Sequence, residues 1–210
     1  MYDALTYQAM LKEIECYAQK YNIINDTIGI LVTRPDLPTG KDILHSLEYF
    51  HFRTGKSINI YMPGYGAYWP ETDYPDRKEI VEIDGVKWYF SNEKFVQFIE
   101  DLEKYSKWEY SGESEFLLIE LKDGKISYQC ILQFYLDNML RNSAIVSIYQ
   151  FFEKIMRVCK ETSVVSRISN RICFDKAKQI TMDKLLEKMP SDMGRIFKQE
   201  KYFCVRNREK

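Results

Sequence analysis

The residues best placed to do chemistry fall in two short loops. The first runs RPDLPTGK, from Arg34 to Lys41, and offers Arg34, Asp36, Thr39, Gly40 and Lys41. The second runs PGYGAYW, from Pro63 to Trp69, and offers Tyr65, Tyr68 and Trp69 among glycines. The first loop leads into a predicted helix, whose free N–H groups and dipole favour an anion. Arg34 and Lys41 add positive charge. The second loop presents flat rings suited to stacking on a base or a sugar. Together the loops are expected to recognise a small anionic, nucleotide-like ligand. Neither carries a full phosphate motif. A P-loop would need glycine where the chain has Pro35 and Ser or Thr where it has Asp42, and PGYG is not GxGxxG.

Other chemistry is thinner. His45 and His51 are the only histidines, and six residues apart they lie on different faces of a helix, so they cannot share a metal as an i, i+4 pair does. His45 and Glu48, three apart, could act as acid and base, but no nucleophile stands beside them. Asp36, Glu71, Asp73 and Asp76 are loop carboxylates whose spacing is not diagnostic of a metal. No metal and no cofactor is expected. The five cysteines, Cys16, Cys130, Cys159, Cys173 and Cys204, form no CxxC, and a scattered odd set reads as reduced core thiols. The catalytic residues, if there are any, are not assignable from the sequence.

Charge is unevenly spread. The net charge is −1, yet Glu153 to Lys210 holds fifteen Lys/Arg against eight Asp/Glu, a net of +7, leaving −8 on the first 152 residues. Arg157, Lys160, Arg167, Arg171, Lys176 and Lys178 are the candidate contacts to phosphates or to an acidic partner. The same asymmetry also fits docking of the basic region on the acidic body.

The elements that must position these groups are legible as patterns. Tyr2 to Tyr21 has apolar residues three and four apart and predicts a helix. IGILVT, Ile28 to Thr33, is a continuous apolar run, as in a strand buried on both faces. A helix is expected from Lys41 to Thr54, capped by Thr39 at its start and by Gly55 at its end, then a strand from Ile58 to Met62. Strand, helix and strand form a parallel βαβ unit whose two following loops share the carboxyl edge of the sheet, where ligands of open α/β sheets bind. Hairpins are expected across Asp84-Gly85 and Asp123-Gly124. Helices are expected at Asn92 to Lys107, capped by Ser91, at Ser143 to Lys160 as the core helix, and at Asp175 to Met189. A short edge strand is expected near the end of the chain.

The expected fold is α/β: a mixed sheet with a parallel βαβ core and two β-hairpins, helices on both faces, and a basic, mostly helical C-terminal extension. Residues 1–161 form the α/β domain and residues 162–210 the extension packed on it. The order βαβ, α, hairpin, α resembles that of thioredoxin-like folds with a hairpin inserted, but the redox cysteines are missing where Arg34 to Leu37 reads RPDL.

The N-terminus lacks a secretory pattern and no apolar run reaches bilayer length, so a cytoplasmic protein with no membrane association is expected. Abundant Tyr, Phe, Ile, Asn and Lys fits AT-rich, low-GC bacterial coding, where a defence or stress role would be at home. The expected function is a non-catalytic binding module that takes a small anionic ligand at the loop pair, or assembles with a partner protein or a second copy. The alternatives are a nucleotide- or phosphate-directed enzyme using loop carboxylates or His45 with Glu48, and a nucleic-acid-binding accessory protein using the basic C-terminal region.

Overall fold

The computed structural model describes residues 2–4, 6–54, 57–169, 171–172, 203–206 and 208–209. In chain order the elements are β1 (Tyr2–Ala4), α1 (Tyr7–Tyr21), β2 (Asn25–Val32), α2 (Pro38–His45), α3 (Leu47–Thr54), β3 (Asn59–Pro63), β4 (Tyr65–Ala67), β5 (Lys78–Ile83), β6 (Val86–Phe90), α4 (Asn92–Tyr105), β7 (Glu115–Lys122), β8 (Lys125–Tyr135), α5 (Leu136–Arg141), α6 (Ile148–Glu161) and β9 (Phe203–Arg206). Residues 165–169 and 171–172 are also helical. The helix expected over Asp175 to Met189, the cap at Gly55, and Cys173, Lys176 and Lys178 lie outside the described residues.

The main sheet has strand order β1-β3-β2-β7-β8-β9, with β1, β3 and β2 mutually parallel and the remaining pairs antiparallel. A second, antiparallel sheet runs β4-β6-β5. The apolar run that predicted a doubly covered strand becomes β2, held between β3 and β7 and buried from Thr27 to Val32. Both predicted hairpins form, with Asp84-Gly85 and Asp123-Gly124 at positive φ as a type I′ turn requires. The fold is therefore mixed α/β with a parallel βαβ core, two hairpins, and helices packed around the sheet. The small sheet is inserted between β3 and α4. Among the described residues no helix is long and apolar enough to cross a membrane.

Two groups of helices cover the core. In one, Tyr7 of α1 meets Phe98 of α4 edge-on at 5.8 Å and stacks on Tyr105 at 5.2 Å, while its hydroxyl bonds that of Tyr128 at 2.6 Å. In the other, α6 sets Phe152 against Phe116 at 5.0 Å and against Phe50 of α3 at 5.1 Å, and sets Phe151 against Phe134 at 5.1 Å. Aromatic pairs in such geometry contribute beyond their buried area.

Several expectations need correction. The N-terminal helix starts at Tyr7, capped by Thr6, whose Oγ1 accepts from Ala9 N–H. Tyr2 to Ala4 instead pairs with β3, a choice made by the open edge of that strand rather than by local pattern. The helix expected from Lys41 to Thr54 is two helices broken at Ser46, and Leu37, not Thr39, occupies the first cap position. The core helix begins only at Ile148, capped by Ser147, with the separate α5 preceding it. Of the cysteines, Cys159 is buried, and its burial pushes the thiol up to about 12, but Cys130 is only partly buried and Cys16 is exposed. Among the described residues after Glu161, Val165, Ile168 and Ile172 lie in the core cluster, and β9 pairs with β8 at the edge of the main sheet.

Candidate functional site

Because β2 and β3 are parallel neighbours, the two predicted loops do leave one edge of the sheet. Arg34, half-buried, forks onto Asp36 with Nε and Nη2 each 3.1 Å from a carboxylate oxygen. Tyr65 is fully buried and donates to the Thr33 carbonyl at 3.2 Å, and burial pushes its hydroxyl well above the usual range. The Thr39 hydroxyl donates to Asp137 at 2.5 Å. Gly40 packs so closely that an added Cβ would lie 1.9 Å from the Arg34 carbonyl oxygen. These five residues are brought together. The other three are not part of that cluster. Lys41 points to solvent from α2. Trp69 is 4% exposed, stacked on Tyr74 at 4.5 Å and pressed on Gly66. Tyr68 is 82% exposed and held at φ 58°.

The edge is occupied by groups that sequence spacing does not reveal. Thr33 Oγ1 and Ser114 Oγ lie 2.8 Å apart, and Ser114 N–H donates to Asp137 at 2.5 Å. Next to them Glu115, fully buried, accepts from Trp108 Nε1 at 3.0 Å, Gln133 Nε2 at 2.7 Å and Ser111 N–H at 3.1 Å. Tyr110 stands nearby, its hydroxyl pushed up to about 12 by burial against the opposing charge of Arg34. These hydrogen bonds tie the ends of β2, α2, β7 and α5 to each other. The bonds from Thr33 and Thr39 join residues 81 and 98 apart in the chain, so no local motif could announce them.

The remaining candidates disperse. His45 and Glu48 are exposed on two different helices with no bond between them, and His51 sits edge-on to Trp88 at 5.6 Å. Of the loop acids, Glu71 pairs with Arg77 at 3.6 Å, while Asp76 takes the N-terminus of α4, accepting from Glu93 N–H at 2.9 Å and Ser91 Oγ at 2.6 Å. The anion position of that helix is thus filled by the chain itself. Among the described residues no three His, Cys, Asp or Glu side chains are grouped to hold a metal.

A different place gathers charge and rings. Between α3 and α6 lies a groove of about 480 Å³, lined among others by Phe52, Arg53, Tyr149, Lys154, Arg157 and Lys160. Its existence follows from α6, which turns Phe151, Phe152, Ile155 and Met156 inward and leaves its cationic stripe outside. One wall is braced by Glu153, which accepts from Tyr49 Oη at 2.7 Å and from Arg53 Nη2 at 3.1 Å. Hydrogen bonds to Tyr149 and Glu153 keep the Tyr49 hydroxyl protonated well beyond the ordinary tyrosine range. Arg157 and Lys160 have no ion-pair partner among the described residues. Phe52 and Tyr149 remain 56% and 42% exposed beside these cations.

The basic residues named from the sequence divide accordingly. Arg157 and Lys160 line the groove. Arg167 and Arg171 are exposed on the helical residues that follow, where Arg171 pairs with Glu161. Arg53, Phe52 and Tyr149 were not anticipated. The signal that could have found them is the pairing of cations with exposed rings across two helices, which needs the helices' relative placement.

Comparison with protein-family models, with curated proteins and with solved structures finds no match.

Proposed function

We propose that this chain is a non-catalytic binding module that grips an anionic partner in the groove between α3 and α6. The observation that carries this reading is the row of Lys154, Arg157 and Lys160 along one side of α6, opposite Arg53 and beside two exposed rings. Arg157 and Lys160, without an ion-pair partner among the described residues, leave positive charge along the groove, which concentrates an oppositely charged partner and steers its approach. The loop pair at the carboxyl edge is the weaker candidate, because Arg34 is already forked onto Asp36 and Trp69 is packed into its own loop.

The test is retention on heparin resin. The wild-type protein is expected to bind and to elute with salt, as a charge-driven contact must. The triple variant Lys154→Glu, Arg157→Glu, Lys160→Glu is expected to flow through. A control with the same net charge reverses Lys12, Lys20 and Lys125, all exposed and away from the groove, and should be retained more strongly than the groove variant. Equal behaviour of the two folded variants would remove the groove as the site.

A further inference from the structure

Resting on that reading of the groove, we propose that its occupant is a single-stranded nucleic acid, with an unpaired base stacked on Phe52 or Tyr149 and the backbone tracked by Lys154, Arg157 and Lys160. Charge alone does not require exposed rings, and the groove has two. Phe52 is 56% exposed on α3 and Tyr149 is 42% exposed on α6, so the rings flank the cations from both walls. Cations beside open aromatic faces are the elements of a sequence-tolerant single-strand platform. Lys154, Arg157 and Lys160 recur every three residues, which at about 1.5 Å rise per residue spreads them over roughly 9 Å of helix. That span exceeds what one phosphate group occupies and suits successive phosphates of a strand. Exposed Arg167 prolongs the basic character past the end of α6.

The wall opposite the strand is prearranged. Glu153 holds Arg53 and Tyr49, and Tyr49 leans on Tyr149 with centroids 4.9 Å apart. Glu153 also places a carboxylate inside the groove, which disfavours an acidic peptide more than it does a strand whose bases bring no negative charge. A duplex hides the faces of its bases and cannot use the rings.

The experiment is fluorescence anisotropy of labelled oligothymidylate of about 20 nucleotides, compared with the same length as duplex and with oligoglutamate of equal charge. Wild type is expected to bind the single strand most tightly. Phe52→Ala should weaken that binding at least about 5-fold, the loss of one stacked base. Phe52→Trp should restore it. Lys160→Gln should lower the slope of log affinity against log salt by roughly 0.7, one single-strand phosphate contact. If wild type keeps its heparin retention but prefers oligoglutamate or duplex, or if Phe52→Ala binds the strand like wild type, the nucleic-acid assignment falls and the anionic groove stands. If wild type is not retained on heparin, the groove reading itself falls.

Discussion

At the scale of single residues, close approach of backbone decides more than side-chain chemistry. Gly40 lies inside α2, where alanine ordinarily gains about 1 kcal/mol over glycine. Here the added Cβ would meet the Arg34 carbonyl oxygen at 1.9 Å and Thr33 Oγ1 at 3.1 Å. The sign therefore inverts. Gly40→Ala is expected to lose about 2 kcal/mol or more, a typical overpacking cost, read as a lower urea midpoint with an unchanged slope. Wild-type stability in that variant would mean that α2 does not sit on the end of β2 as described. Tyr68 shows the opposite situation: a bulky residue at φ 58° with its ring in solvent, a conformation that costs roughly 1–2 kcal/mol.

At the scale of elements, the helix termini show how the chain satisfies itself. The N-terminus of α4 is closed by Ser91, whose Oγ accepts from Lys94 N–H, and by Asp76 from the loop before β5. Partial burial of Asp76 favours its neutral acid. The hydrogen bonds from Glu93 N–H, the Ser91 hydroxyl and the N–H groups of Asp76 and Asn92 outweigh that and hold the carboxyl below its ordinary value. A pKa depressed by folding contributes stability above the unfolded value, and that stability is lost as pH falls through the folded one. Asp76→Asn is thus expected to cost about 1 kcal/mol at neutral pH, the usual worth of a cap. The gap from wild type should close as the pH drops below about 4, followed by thermal melts from neutral to acid. A gap independent of pH would place the loss in packing rather than in the charge.

For the molecule as a whole, the described residues after Glu161 are bonded to the rest of the chain. Thr27 Oγ1 donates to the Ser163 carbonyl, Val165 N–H donates to Glu120 at 3.1 Å, and Arg208 N–H donates to the Tyr128 carbonyl at 2.8 Å. Val165, Ile168 and Ile172 are buried, each worth about 1.5–3 kcal/mol. Their joint removal costs roughly 5 kcal/mol or more, a large share of a domain's net stability. A chain ending at residue 161 is expected to melt about 10 °C or more below the full chain, or to be recovered only as aggregate, with the flank of β8 uncovered. Wild-type melting of that fragment would instead establish residues 1–161 as a domain in its own right.

What the sequence determined by itself is the set of elements with strong local signals. The run Ile28 to Thr33 had to be buried on both faces, because nothing polar interrupts it. Asp84-Gly85 and Asp123-Gly124 had to turn, because both residues tolerate positive φ. Ser91 and the apolar stripe after it had to make a helix. The unequal charge between the two parts of the chain was equally plain. Only the tertiary structure decided that Tyr2 to Ala4 is a strand, since the edge of β3 supplies its partners. It also decided that Thr33 and Thr39 join a polar network with Ser114 and Asp137. The bonds from Thr33 and Thr39 span 81 and 98 residues, and a hydrogen bond of that range leaves no local trace. For the same reason the groove was half legible: Arg157 and Lys160 were visible as charges, but Phe52, Arg53 and Tyr149 join them only because α3 and α6 are laid side by side over one aromatic core.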